Sequence, residues 1–202
     1  MSFSRELRER AAYARDLARL LRFGMENPTP YTKWLILDRL RRRTGARVMV
    51  ETGTYEGRTT ARAARRFERV YTVELDPTLA QRAKEHLARY PNVTVLQGDA
   101  MQRLPEILQR SDVRDALVFL DAHYSGGETA HGDLAEPAVE ELVILHRHVD
   151  KLRAIVVDDF RCFGVNAGFP SKGEVVRQAE ALFGKDFDLS VTNDQLVLTR
   201  KR

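Results

Sequence analysis

Acidic residues stand at or just beyond the ends of five short apolar runs, and the first run leads into a glycine-containing loop. This loop reads Glu51-Thr52-Gly53-Thr54-Tyr55-Glu56-Gly57-Arg58-Thr59. Two glycines let the backbone turn tightly and approach a ligand, and a helix that follows presents free amide groups. The pattern therefore predicts a loop that binds a nucleoside cofactor, although two glycines four residues apart can also form a plain connection.

A second acidic residue, Glu74, ends the next apolar run, 23 residues after Glu51. At this spacing a carboxylate can accept hydrogen bonds from both hydroxyls of a ribose. A dinucleotide-binding loop is an alternative, but Gly53 and Gly57 do not follow the Gly-x-Gly-x-x-Gly spacing of such loops. The acidic Glu51 would also lie unfavourably against a pyrophosphate, whereas it suits a ligand with a positively charged amino group.

The remaining three runs end in acidic residues too, at Gly98-Asp99-Ala100, at Asp121 and at Asp158-Asp159. Taken singly, each acid could cap a helix or solvate a loop. Ligands of open parallel sheets, however, bind beyond the carboxyl ends of the strands. We therefore expect these acids to converge on one site.

Hydrophobic periodicity predicts the elements that position these residues. Short apolar runs alternate with helical stretches, which is typical of repeated strand-helix-strand units around a parallel sheet. The predicted strands are residues 48–52, 70–74, 93–97, 116–121 and 154–158, and the predicted helices are residues 57–67, 77–90, 101–110, 137–148 and 171–183.

The two ends of the chain differ from this alternating pattern. Residues 1–45 have helical spacing and form a predicted helical prelude. Phe187, Leu189 and Val191 alternate with polar residues, and residues 196–199 return after a turn, which predicts an antiparallel hairpin. The expected fold is a single α/β domain over residues 1–202, with a mostly parallel, Rossmann-like sheet in residues 46–202.

Composition excludes several classes of protein. Apolar residues make up 43% and charged residues 31% of the 202 residues, which is typical of a folded globular chain. No apolar stretch approaches the roughly 20 residues that span a bilayer. Cys162 is the only cysteine, so an intrachain disulfide is impossible and a cytoplasmic location is expected.

Residues 1–50 hold 12 basic and 5 acidic residues, which indicates a solvated helix face or a face for nucleic acid.

Together, the loop at residues 51–59, Glu74, residues 98–100, Asp121 and Asp158-Asp159 resemble the class I S-adenosylmethionine-dependent methyltransferases. The similarity is to the branch that includes catechol O-methyltransferase-like enzymes, and it covers roughly residues 45–200. It implies a seven-stranded sheet, with ribose on Glu74, adenine beside Asp99 and the methionine portion near Glu51 and Asp121. The cofactor-binding residues implied are Glu51, Gly53, Thr54, Tyr55, Gly57, Thr59, Glu74, Asp99, Ala100 and Asp121.

The same resemblance implies a divalent cation, Mg²⁺, held by Asp121, Asp158 and Asp159, which orients a substrate hydroxyl and lowers its pKa. The catechol enzymes carry a lysine shortly after the fourth-strand aspartate, but this chain reads Ala122-His123-Tyr124. His123, with an ordinary pKa of about 6.5, is the expected general base beside Asp121. It could equally cap the loop or help to hold the metal, and His131 is a weaker candidate for either role.

The predicted function is methylation of a small hydroxylated acceptor, such as a phenol, a sugar or a natural product, with homodimerisation through the prelude as a further expectation. A nucleic-acid methyltransferase is the alternative that the basic prelude favours, although residues 121–124 lack the Asn/Asp-Pro-Pro-aromatic motif of base-modifying enzymes. A cofactor-binding domain with a regulatory role or other chemistry, such as hydroxylation, is a third alternative. Trp34 belongs either to the core or to a lid over the site.

Overall fold

The computed structural model describes residues 3–21, 27–121 and 136–202. Seven strands and seven α-helices follow one another along these residues. The strands are β1 (Val48–Thr52), β2 (Arg69–Glu74), β3 (Val93–Gln97), β4 (Ala116–Leu120), β5 (Leu152–Val157), β6 (Phe187–Thr192) and β7 (Gln195–Arg200). The helices are α1 (Phe3–Leu20), α2 (Pro30–Thr44), α3 (Arg58–Ala63), α4 (Pro77–Leu87), α5 (Ala100–Gln109), α6 (Ala138–His146) and α7 (Lys172–Phe183).

The strands form one sheet in the order β3-β2-β1-β4-β5-β7-β6. The first five strands are parallel, and β7 pairs antiparallel with both β5 and β6. This confirms the predicted fold class, including the C-terminal hairpin. The chain order reverses between β1 and β4, and this switch point is where open α/β sheets bind their ligands.

Most predicted bounds differ from the observed ones by one or two residues, but the helix expected over residues 57–67 already ends at Ala63. The side-chain amide of Asn92 donates hydrogen bonds to the carbonyls of Ala64 and Phe67, at 2.8 and 3.0 Å. These two bonds hold the chain in a turn that leads directly into β2.

Each face of the sheet is covered by helices. Helices α5, α6 and α7 pack on one face, with Val118, Leu120 and Ile155 at the centre of that core. Helices α2 and α3 pack on the other face, where Trp34 and Leu37 contact the second core. Trp34 is therefore a core residue, which decides between the two roles that the sequence left open.

The prelude is tied to the rest of the fold by polar contacts. Asp16 of α1 is buried and accepts hydrogen bonds from the backbone N–H of Thr29 at 2.7 Å and the hydroxyl of Thr32 at 2.6 Å. Glu9 of α1 forms an ion pair with Arg62 of α3. These contacts fix α2 beside the carboxyl edge of the sheet. None of the described helices has the length and apolar composition needed to cross a membrane.

Candidate active site

The loop between β1 and α3 turns sharply at residues with positive φ. Gly53 has φ 88°, Tyr55 47° and Gly57 65°, in the left-handed region that favours glycine. The backbone N–H groups of Gly53 and Thr54 both donate to the carbonyl of Val73, at 3.0 and 3.1 Å. The loop is thus folded over the end of β2, with the tight turns that its two glycines predicted.

Glu74 lies at the end of β2 and connects this strand to the loop. Its buried carboxylate accepts hydrogen bonds from the backbone N–H of Tyr55 at 2.7 Å and of Asp76 at 3.1 Å. An ionised carboxylate has about four acceptor positions, so further hydrogen bonds to a ligand are sterically possible. The side chain of Tyr55 itself is exposed, and only its backbone contacts this carboxylate.

Glu51 lies beneath the loop. One of its carboxylate oxygens, Oε2, accepts hydrogen bonds from the hydroxyls of Thr60 at 2.5 Å and Thr72 at 2.7 Å, and Thr54 in turn contacts the Thr72 hydroxyl at 2.6 Å. Burial raises the pKa of Glu51 to about 7, against the opposing effect of the two hydrogen bonds. Glu51 therefore supports the loop from below through α3 and β2.

Asp99 and Ala100 follow β3, next to Glu74 in the sheet. The Asp99 carboxylate caps α5 by accepting the backbone N–H of Met101 at 2.8 Å, and Ala100 is the first residue of that helix. The N–H of Gly98 donates to the carbonyl of Glu74 at 2.9 Å. This bond holds the two strand ends together, so Asp99 lies beside the predicted ribose-binding carboxylate. Thr59 is half-buried in the first turn of α3.

The three predicted metal ligands do come together. Carboxylate oxygens of Asp121, Asp158 and Asp159 all lie within 4.8 Å of one another. Their strands are neighbours, and the backbone N–H groups of Asp121 and Asp158 continue the sheet by donating to Thr52 and Leu120, at 3.0 and 2.9 Å. Burial, and then the charges of Asp158 and Asp159, raise the pKa of Asp121 well above its ordinary value. Such a cluster requires positive charge nearby.

Among the residues that the structure describes, two basic side chains supply this charge. The ammonium of Lys33, on α2, donates a hydrogen bond to Asp158 Oδ2 at 2.9 Å and another to Asp159 Oδ1. Arg161 donates to the same Asp159 oxygen at 2.6 Å and also pairs with Asp194. Burial alone would lower the pKa of Lys33, but the charges of Asp158 and Asp159 outweigh it and raise this pKa. Lys33 and Arg161 thus offset part of the negative charge of the cluster.

Solved structures of similar fold share this architecture along most of their length. An O-methyltransferase of Bacillus cereus in complex with S-adenosylhomocysteine matches with TM-score 0.60 and 20% identity, over 96% of this chain and 90% of that one. The O-methyltransferase TomG of Streptomyces achromogenes, in complex with S-adenosylmethionine, matches with TM-score 0.58 and 19% identity, over 86% and 82%. The chain has the class I S-adenosylmethionine-dependent methyltransferase fold.

Sequence comparisons point to the same class of enzyme. The family model described as ribosomal RNA adenine dimethylase matches residues 35–120. A ribosomal RNA small subunit methyltransferase A of Acidobacterium capsulatum is 34% identical over 102 residues, which are 50% of this chain and 36% of that relative. The matched part is therefore about a third of the relative's length. Together with the fold, these matches support an enzyme of the class I S-adenosylmethionine-dependent type.

Several polar residues of this methyltransferase-fold site were missed by the sequence analysis. The side-chain amide of Gln195, at the start of β7, donates to Asp158 Oδ1 at 3.1 Å. Lys33 and Arg161 contact Asp159, and Asp194 pairs with Arg161. The sequence does contain one indication that Lys33 has a particular role, because it is the only lysine in the first 50 residues, among eleven arginines. The two histidines considered as bases, His123 and His131, lie outside the described residues.

Glu141 is a further buried carboxyl that the sequence did not single out. It lies on α6, is only 1% exposed, and its Oε1 has no hydrogen-bond partner among the described residues. Burial, followed by the nearby charge of Glu136, raises the pKa of Glu141 to about 8. At neutral pH this side chain is therefore mostly a neutral carboxylic acid.

Proposed function

We propose that this protein transfers the methyl group of S-adenosylmethionine to a hydroxyl oxygen of a small acceptor, such as a phenol, a sugar or a natural product. The observation that carries the proposal is the cluster of Asp121, Asp158 and Asp159 at the carboxyl edge of the sheet. Carboxylates gathered beyond strands β4 and β5 suit the orientation of a polar acceptor. The O-methyltransferase structure of Bacillus cereus matches over 96% of the chain, and Gln195 of the hairpin supports Asp158.

The cofactor would lie over the loop of Gly53, Tyr55 and Gly57, where positive φ angles bring the backbone close to a ligand. Glu74 would accept the ribose hydroxyls, since its two backbone hydrogen bonds leave acceptor positions free. Asp99 and Ala100 would border adenine, Thr54 and Thr59 would bind the cofactor from the loop and the first turn of α3, and Glu51 and Asp121 would lie near its methionine portion.

Asp121, Asp158 and Asp159 would hold a divalent cation, because oxygen ligands are those that Mg²⁺ prefers. When bound, such an ion orients the acceptor hydroxyl and lowers its pKa. In the transfer, a bond forms between the acceptor oxygen and the methyl carbon, the bond from sulfur to that carbon breaks, and the hydroxyl proton is lost. We propose His123 as the group that takes this proton.

The test begins with cofactor binding, measured by calorimetry with S-adenosylhomocysteine and with NAD as control. Transfer of radiolabelled methyl from S-adenosylmethionine is then measured with panels of phenols and sugars, with Mg²⁺ and with a chelator. We expect binding of S-adenosylhomocysteine alone and methyl transfer that the chelator abolishes and Mg²⁺ restores. Binding of NAD instead would contradict the cofactor assignment, and full activity in chelator would contradict the role of the metal.

Methylation of adenine in ribosomal RNA is a second candidate, favoured by the family match and by the excess of basic residues in the first 50. That match ends at residue 120, just before Asp121-Ala122-His123-Tyr124, which contains no proline. The same radiolabel assay with ribosomal RNA decides between the two. Turnover on RNA and none on hydroxylated small molecules would favour this candidate, whereas weak RNA binding that salt abolishes, without turnover, would exclude it.

A cofactor-binding domain without methyltransferase activity is a third candidate, whether regulatory or with other chemistry. The double variant Asp158→Ala and Asp159→Ala separates it from an enzyme. In both cases the variant should still bind S-adenosylhomocysteine. If the protein is an enzyme, the unmodified protein turns over and the variant does not, whereas a regulatory domain shows no turnover in either form.

We also propose that residues 46–202 bind the cofactor while residues 1–45 form part of the acceptor pocket, within one cytoplasmic domain. Homodimerisation is proposed through α1, which exposes the apolar side chains of Leu7 and Leu17, with Leu21 directly after it. Light scattering after size exclusion measures the mass directly. A monomer at all concentrations would contradict the dimer.

A further inference from the structure

The acidic cluster already contains a cation that belongs to the protein. Lys33 Nζ lies 2.9 Å from Asp158 Oδ2 and also contacts Asp159 Oδ1, so it occupies oxygens of two of the three candidate metal ligands. The Lys33 side chain is 13% exposed and that of Asp158 is 3% exposed. In this shielded position the ammonium competes with a divalent ion, because both are attracted to the same oxygens and their positive charges repel each other at short range.

We propose that Lys33 is a tethered competitor for the divalent ion, so that metal binding requires its ammonium to leave Asp158 and Asp159. This inference rests on the proposed function only for the identity of the metal site. It assigns to the prelude a direct control over metal affinity, through one side chain of α2.

Of Lys33 and Arg161, the cations that contact the cluster in the described part of the chain, Lys33 is the displaceable one. Arg161 is anchored twice, because its guanidinium pairs with both Asp159 and Asp194, and its backbone N–H donates to Asp194 at 2.6 Å. The Lys33 ammonium, by contrast, is held through its hydrogen bonds to Asp158 and Asp159, the same carboxylates that a metal would use. An incoming ion at Asp159 Oδ1 competes with only one of the contacts of Arg161, which stays anchored on Asp194.

The exchange can take place without movement of α2. The neighbouring Trp34 and Leu37 are buried in the core on that side of the sheet, which fixes the helix backbone. The lysine side chain itself has four flexible methylene groups and a single point charge. Rotation of this side chain is therefore sufficient to open the cluster, and the helix remains docked.

Binding of Mn²⁺ to the cofactor-free protein tests the proposal, because it can be followed by electron paramagnetic resonance or calorimetry without any turnover. Removal of the Lys33 charge in Lys33→Met should tighten Mn²⁺ binding by at least about tenfold, since three carboxylates then lack their main competitor. Lys33→Gln is the second variant, in case the methionine protein does not fold. Lys33→Arg keeps the charge and should bind Mn²⁺ within about threefold of the unmodified protein.

Lys84→Met is the matched control, since it removes the same charge from an exposed position on α4. It should leave Mn²⁺ affinity unchanged. A melting experiment adds an independent readout, in which Lys33→Met is less stable than the unmodified protein in chelator and gains more from Mn²⁺. Equal Mn²⁺ affinity of Lys33→Met and the unmodified protein would overturn the proposal, as would the absence of Mn²⁺ binding in every variant. Binding of S-adenosylhomocysteine, measured separately, shows whether the proposed cofactor site fails as well.

Discussion

Replacement of Glu141 by glutamine should make the protein more stable in mildly alkaline solution. The buried Glu141 carboxyl keeps its proton in the folded state up to about pH 8, whereas in the unfolded chain it ionises near its ordinary pKa of 4.5. Between these values the unfolded state binds fewer protons, so the free energy of unfolding falls as pH rises. The stabilisation that the protonated carboxyl retains at low pH is thus lost by about pH 8.

The size of the effect follows from the same two values. Each pH unit in this interval lowers the free energy of unfolding by up to about 1.4 kcal/mol, which gives an upper bound of about 5 kcal/mol by pH 8. Local relaxation around the ionised group reduces this, and we expect a difference of about 2 to 4 kcal/mol. Glu141→Gln cannot ionise, so its advantage should be absent near pH 4.5 and largest near pH 8.

Urea unfolding followed by circular dichroism, at several pH values in chelator and without cofactor, measures this difference. Glu51 and the aspartate cluster titrate in both proteins, so subtraction of the two curves isolates Glu141. Glu140→Gln is the matched control, because the neighbouring Glu140 is only half-buried. Parallel stability curves for Glu141→Gln and the unmodified protein would refute the reasoning.

Two further predictions concern the loop. Gly57→Ala should destabilise the protein by about 1 to 2 kcal/mol. The reason is that Gly57 has φ 65° and that an added Cβ would lie 3.0 Å from Leu87 Cδ1. Urea unfolding measures the change, and an unchanged midpoint would contradict the prediction. Glu74→Gln should weaken S-adenosylhomocysteine binding by about 10- to 100-fold, the usual range for loss of a charged hydrogen-bond acceptor. Calorimetry measures it, and unaltered affinity would remove Glu74 from the cofactor site.

The fold class and most strand bounds were predictable from the sequence, whereas the strand order is known only from the structure. The parallel strands are short, mostly apolar runs bounded by polar residues, and the ends of parallel strands meet at one edge. The convergence of the strand-end acids could therefore be predicted from their positions, whereas the grouping of Asp121, Asp158 and Asp159 followed from the family resemblance. The hairpin was predictable because Leu189 and Val191 alternate with polar residues, the pattern of a half-exposed sheet.

The polar residues around these acids were not predictable, because they come from elements whose packing no local pattern specifies. Lys33 faces the cluster only because Trp34 orients α2 against the sheet. Gln195 reaches Asp158 because β7 lies beside β5. Glu141 sits on a helix among apolar residues, where a single carboxyl resembles an ordinary surface position.

The antiparallel hairpin has a consequence for the order in which the chain can fold. Strand β7 comes after β6 in the chain, yet it lies inside the sheet, between β5 and β6. During synthesis on the ribosome, one edge of β5 therefore stays unpaired and exposed until residues 195–200 have been made. Long-range pairing of this kind is slow and leaves an edge open to aggregation. Because Gln195 and Asp194 also hold Asp158 and Arg161, the carboxylate cluster takes its final form only when this last strand has been inserted.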